Sequence, residues 1–392
     1  MPIRSHVDSY KTQANPLNAA FDAIEPLNYV DNSNPPSIFS KLDLQTIGGT
    51  TWFGLLNSKA VGRVHIEQLG TKRGAIAWQV CFSADGRYLA VSYLSVAVKV
   101  YDVRTAQSVC EINDPTLNER NEPGCILAIC LSSDARSLVT GGRDGIIRIW
   151  DIHTRSLDLP LNRHKHSVVS LSYARNGTKL VSGSADGTIW VWDFICGTAR
   201  DVAGEDSMSV AISPSAHLVA AASLDSIVRV WDANSGVLLQ RLRGHMGGVT
   251  SIAFTPDGTG LVTGSADHTV MYWDLEDTQL NSDTGPEAPV DRYQSTRCFV
   301  GHKDTVTCVA ISRDGRCMIS GGWDGTVRFW NLETTVLHLL LRGHTDTVKS
   351  VDFGLDGDFA TGSFDGRVGI CELDSLNLML HADSLKGNTP VM

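Results

Sequence analysis

Three stretches of the chain place a histidine, a hydroxyl, an aspartate and a tryptophan in the same order. They are His164, Ser182, Asp186 and Trp192; His245, Thr263, Asp267 and Trp273; and His302, Ser320, Asp324 and Trp330. Histidine, serine and aspartate are the parts of a hydrolase triad, in which imidazole takes the hydroxyl proton and the carboxylate orients the ring. Three features turn that chemistry away. The set recurs instead of occurring once, threonine replaces serine, and the hydroxyl lies mid-strand and not on a Gly-x-Ser-x-Gly elbow. The same groups can form a buried relay in which each donor meets an acceptor. No catalytic residue is expected. His164-Lys165-His166 offers two imidazoles but no further ligand, so no metal is expected. No phosphate loop or dinucleotide fingerprint calls for a cofactor.

The relay members keep their offsets because the elements that carry them repeat. An aromatic-Asp slot recurs at Tyr101-Asp102, Trp150-Asp151, Trp192-Asp193, Trp231-Asp232 and Trp273-Asp274. It continues as Trp330-Asn331 and ends in a worn copy at Cys371-Glu372. A period of about 40–45 residues with Gly-His upstream and Trp-Asp downstream is the mark of WD repeats. Each repeat is a four-stranded blade that buries its faces only against neighbours. Seven slots predict an all-β, seven-bladed WD40 β-propeller over residues 61–375. It follows a short, partly disordered N-terminal extension (1–60) and precedes a C-terminal tail (376–392). Turns such as Asp85-Gly86, Asn176-Gly177 and Asp257-Gly258 close the first two strands of each blade. Asp144, Asp186, Asp225, Asp267, Asp324 and Asp365 mark the turn between the second and third strands. Blade seven keeps His344, Thr361 and Asp365 but has Cys371 where the indole belongs. Blades one, two and four have Arg73, Pro123 and Glu205 in or near the Gly-His position. A strand at Val64–Glu67 is expected to close the ring on blade seven, with Leu378–His381 as its rival.

Lys+Arg 33 against Asp+Glu 43 gives a net charge of −10. That balance, without a basic run, argues against direct nucleic-acid binding and favours basic protein partners. No apolar run reaches the ~20 residues of a membrane span, and no signal peptide is expected. The nine scattered cysteines lack a C-x-x-C pair and read as reduced thiols of an intracellular protein.

Two insertions break the period, at Asn113–Gly124 and at Glu276–Ser295, the latter placed in the turn before blade six. Both are polar and acidic and are expected to be mobile surface loops. Together with Ser182-Gly183-Ser184-Ala185-Asp186, the run Ala221–Asp232 and Val300-Gly301-His302-Lys303-Asp304, they give a chain that resembles the propeller of the fungal Tup-type general transcriptional corepressor from about Pro35 to Leu373. The resemblance implies a nuclear scaffold. Its partners would be DNA-bound repressors, histone tails and chromatin-modifying complexes. The family's N-terminal coiled coil has no counterpart in the proline-bearing first sixty residues, so a propeller-only paralogue or a shortened version, monomeric, is expected. The first strand of blade two, Cys125–Cys130, lacks the aromatic and basic residues that the family places there. A second reading is a WD40 adaptor outside transcription, such as a ubiquitin-ligase substrate receptor or a cytoplasmic assembly platform. An enzyme would need a convergent pocket in one blade only.

Partners should meet the face built from the Gly-His connections and the second-to-third-strand turns. Trp323 and Phe364, just before the turn aspartates of blades six and seven, are the expected anchors. Trp is enriched among interface hot spots, and two such aromatics would form one apolar point. Arg143 and Leu224 hold the same position on blades two and four. Met246, Lys303, Asp304 and Asp346 follow the Gly-His pairs and complete the predicted binding set.

Overall fold

The computed structural model describes residues 53–56 and 76–371, apart from positions 96, 106, 115–124, 204–206, 276–288, 294 and 356. Its described elements are strands gathered into seven sheets. The first strand of each sheet is short, mainly apolar and half or more buried in most blades: Ala77–Phe82, Ile126–Leu131, Val168–Tyr173, Ser207–Ile212, Val249–Phe254, Val306–Ile311 and Val348–Phe353. Each touches the corresponding strand of the next sheet, and the last touches the first. The sheets therefore form a closed ring, a seven-bladed β-propeller with these strands innermost.

Burial follows the ring. Among the described residues seven apolar clusters form, each shared by two adjacent blades, including the pair seven and one. At the seam, Ala77, Val80, Phe82 and Leu89 of blade one pack with Ala360, Val368 and Ile370 of blade seven. Cys371, in the tryptophan slot, is fully buried in the cluster that holds Phe329, Phe353 and Phe359, whose rings lie 6.0–6.4 Å apart. All nine cysteines are free thiols, with Cys196 and Cys298 exposed.

The predicted turns form. Gly86, Gly177, Gly258 and Gly315 have φ between 70° and 77°, and Ala135 and Ala216 take the same left-handed conformation at 58° and 62°. A Cβ on Gly145, in the turn of blade two, would stand 2.8 Å from the His164 carbonyl of blade three. The upper turn of one blade thus rests on the connection entering the next.

Three findings depart from the sequence reading. The insertion after Glu276 lies between the third and fourth strands of blade five, Thr269–Asp274 and Arg297–Val300, and not in a turn before blade six. Part of it is no loop: Val290–Arg292 pairs parallel with Leu238–Arg243 as a fifth strand on blade four. Phe53–Leu56, assigned to the extension, pairs antiparallel with Leu337–Arg342 and adds a fifth strand to blade six. Short polar or unpatterned segments carry too few residues for alternation to show. The proposed closing strands, the rest of the extension, the tail and the residues at 73, 123 and 205 lie outside the described residues.

Candidate functional site

The relays shape the upper face. In blade five, His245 Nε2 lies 2.7 Å from Thr263 Oγ1, which also accepts the Trp273 indole N–H at 2.9 Å. His245 Nδ1 lies 2.8 Å from Asp267. Blade six repeats this with His302, Ser320, Trp330 and Asp324. Blade seven keeps His344, Thr361 and Asp365. In blade three, His164 Nδ1 reaches Thr188 Oγ1 at 3.0 Å and Asp186 at 3.4 Å. The distances suit a triad, yet Ser182, Thr263, Ser320 and Thr361 are fully buried. With the indole on three of these hydroxyls, none has a path to a substrate.

A further member was missed in the sequence: Thr188, Thr269 and Thr326, two residues after each aspartate, donate to it at 2.6–2.7 Å. The recurring Asp-x-Thr was the available signal. Burial opposes ionisation of Asp267, but His245, the Thr269 hydroxyl and the Met246 N–H outweigh it and hold the carboxyl down at about 2. Asp186 is likewise held at about 2, while Asp324 and Asp365 are lowered. Burial lowers the pKa of His164 and His302, which keeps those rings neutral at pH 7.

Blade two solves the same problem without histidine. Arg148 Nε pairs with buried Asp114 at 2.8 Å and its NH2 with Asp144 at 2.8 Å, while Thr140 takes the Trp150 indole N–H. Blade four pairs Arg229 with Asp225 at 2.7 Å.

Above the relays, the ladder between first and second strands skips one residue in every blade. The skipped residues are Trp78, Leu127, Val169, Met208, Thr250, Thr307 and Lys349. Each follows the connection on the upper face, so the seven bulges rim the mouth of the ring. A bulge re-aims its side chain. Thr250 and Thr307 bond the Val306 and Val348 carbonyls of the next blade, and Trp78 Nε1 donates to the Leu127 carbonyl at 2.8 Å.

Phe364 stacks on Trp78 across the boundary of blades seven and one, with centroids 5.8 Å apart and planes at 14°. The Lys349 ammonium lies 4.9 Å from the Trp78 ring centroid. Burial lowers the Lys349 pKa, with the Cys308 thiol opposing. Trp78, Phe364 and Trp323 are each partly exposed. Trp78 and Lys349 escaped sequence reasoning because a single extra residue cannot be seen in a period of two.

The predicted residues fall into three groups and one residue that stands alone. Lys303, Asp304 and Trp323 share blade six, where Trp323 N donates to Thr305 O at 2.9 Å and Asp304 caps Thr305 N at 2.7 Å. Asp346 and Phe364 hold the same places on blade seven, with Asp346 accepting from Thr347 N. Leu224 covers Gly248 beside Met246, which is 71% exposed, at the boundary of blades four and five. Arg143 stands apart on blade two, its carbonyl bonded by Ser167 of blade three. Among the described residues no cluster of three His, Cys, Asp or Glu could hold a metal ion.

Residues 116–151, 156–193, 203–232, 236–274, 293–331 and 335–371 match the WD domain, G-beta repeat family. The chain belongs to the WD-repeat family. The six matches cover blades two to seven; the structure supplies blade one, which has Tyr101 in the tryptophan slot. WD repeat-containing protein 18 of Danio rerio is 27% identical over 65% of this chain and 50% of its own length. A guanine nucleotide-binding protein subunit beta of Nicotiana tabacum is 35% identical over 41% of this chain and 43% of its own. Cilia- and flagella-associated protein 52 of Homo sapiens is 24% identical over 65% of this chain and 38% of its own. The chain thus spans half or less of the length of these relatives. Their names support the WD-repeat family and not the fungal Tup-type corepressor group.

Proposed function

We propose that this WD-repeat propeller is a non-catalytic docking platform whose upper mouth, at blades six, seven and one, receives a peptide segment of a partner protein. The observation that carries the reading is the partly exposed Trp78–Phe364 stack with Lys349 beside it. Large aromatics at a mouth gain most when a partner covers them, and such anchors dominate binding energy. Asp304, Asp346 and Lys303 supply the polar rim that surrounds such a centre.

The partners proposed are DNA-bound repressors, histone tails or chromatin-modifying complexes, in the nucleus, as the Tup-type resemblance implies. The names of the similar proteins favour the second reading, a WD40 adaptor outside transcription, which would use the same mouth. Identification of proteins that co-purify with the full chain separates the two. Titration of such a partner then tests the site. Trp323→Ala and Trp78→Ala should each weaken binding about thirtyfold, the equivalent of ~2 kcal/mol. If both folded variants bind like wild type, the mouth is not the docking point.

A further inference from the structure

The outer edge of blade four carries a strand that fits it poorly. Val290–Arg292 is three residues long and runs parallel to Leu238–Arg243, whereas every other strand pairing in the described residues is antiparallel. Parallel pairing is slightly less stable per residue. Asp291 is its only carboxylate, and it faces two guanidinium groups, Arg241 at 3.8 Å and Arg243 at 3.6 Å. All three side chains are about a third exposed, so these contacts are long and screened.

The groups beneath the strand are only partly met. Arg243 Nε is buried without a hydrogen bond, and Gln240, 2% exposed, leaves Oε1 unpaired opposite Val290. Val290 and Tyr293 turn 55% and 70% of their surface to solvent and contribute little burial. A bond from Arg292 to the Asp274 carbonyl at 2.9 Å ties the strand to blade five.

Spacing names the better occupant. Arg241 and Arg243 are two residues apart on one strand, so they lie on one face of the sheet. A strand that answers both needs carboxylates at alternate positions. The internal strand has Asp291 and then Tyr293, one carboxylate for two arginines. We propose that Leu238–Arg243 is a second docking edge, which takes an extended acidic segment of a partner protein, with the pattern acidic-x-acidic, in place of Val290–Arg292. Backbone bonds to the sheet edge supply affinity and the two arginines supply selectivity, as in strand addition generally. This surface is separate from the mouth and does not rest on the proposal made for it.

The probe is a fluorescein-labelled peptide of alternating Val and Glu, titrated by anisotropy against the full chain, with a Val-Lys peptide as control. Asp291→Lys, which repels Arg241 and Arg243, should release the internal strand and raise affinity about tenfold. Tyr293→Glu completes the internal pattern and should lower affinity by a similar factor. Arg241→Glu with Arg243→Glu should abolish binding while the melting temperature stays that of a folded ring. Trp323→Ala, which acts at the mouth, should leave the affinity for this Val-Glu peptide unchanged. The proposal is overturned if Asp291→Lys leaves affinity unchanged, if the Val-Lys peptide binds equally, or if Trp323→Ala removes binding. It is also overturned if Asp291→Lys makes the chain dimerise in sedimentation and the peptide does not compete, because the edge then receives a second copy.

Discussion

Each relay couples one ionised group to several neutral ones, so its worth depends on pH in a definite direction. Asp267 ionises at about 2 in the folded chain against an ordinary 3.8, because the hydrogen bonds to its carboxylate outweigh burial. A depressed carboxylate stabilises above its unfolded value and loses that stabilisation as pH falls through the folded one. Asp267→Ala leaves His245 Nδ1, Met246 N and the Thr269 hydroxyl without their acceptor and should cost ~1–3 kcal/mol at pH 7. Calorimetry should find that difference intact above pH ~4 and shrinking toward pH ~2. An equal melting temperature at pH 7 would remove the relay from the stability account. The relay's main members were legible in the sequence because four residue types recur in register. Its extent was not: Asp114 and Arg148 do the corresponding work in blade two with different chemistry, and no repeat of type reveals that.

At the scale of elements, the ring has one boundary where the first and last described blades must meet, and polar clamps reinforce it. Arg313 of blade six reaches past blade seven: Nε donates to Gly354 O at 3.2 Å, NH2 to Ser83 O of blade one at 3.0 Å, and NH1 to Ala84 O. Ser350 and Asp352 of blade seven accept from Val80 N and Phe82 N of blade one at 3.1 and 2.7 Å. Burial raises Asp352 to about 6, with the Phe82 and Phe353 N–H donors and Arg313 opposing. A raised carboxylate favours folding below its unfolded value and loses that contribution as pH rises through about 6, the opposite of the relays. Arg313→Ala should cost ~1–3 kcal/mol. It should speed amide exchange in blades seven and one more than in blade three. Asp352→Asn should flatten the melting temperature between pH ~4 and ~7; a slope equal to wild type would assign the titration elsewhere. Blades and turns could be read from Trp-Asp and Asp-Gly spacing, but the clamps could not. Arg313 sits in an ordinary Arg-Asp-Gly turn, and only closure of the ring brings residue 313 to residue 83.

The whole molecule carries a net charge of −10, and the relays keep part of that charge fixed. Asp186, Asp267, Asp324 and Asp365 are all held ionised beneath the upper face beside histidines, of which His164 and His302 are kept neutral by burial. A Lys/Arg-rich partner segment, as the proposed function envisages, is therefore drawn in by long-range field, and the apolar anchor acts only after contact. The two terms separate kinetically, because steering raises the association rate while a buried anchor slows dissociation. The Debye length falls from ~30 Å at 0.01 M salt to ~8 Å at 0.15 M, so the field is cut where the anchor is untouched. Binding kinetics of a histone-tail-like basic peptide should show the association rate falling about tenfold over that range, with dissociation nearly constant. Trp78→Ala should do the reverse, accelerating dissociation at either salt concentration and leaving the association rate in place. A salt-independent association rate would show that the net charge plays no part in capture and would leave the aromatic mouth as the sole determinant of binding.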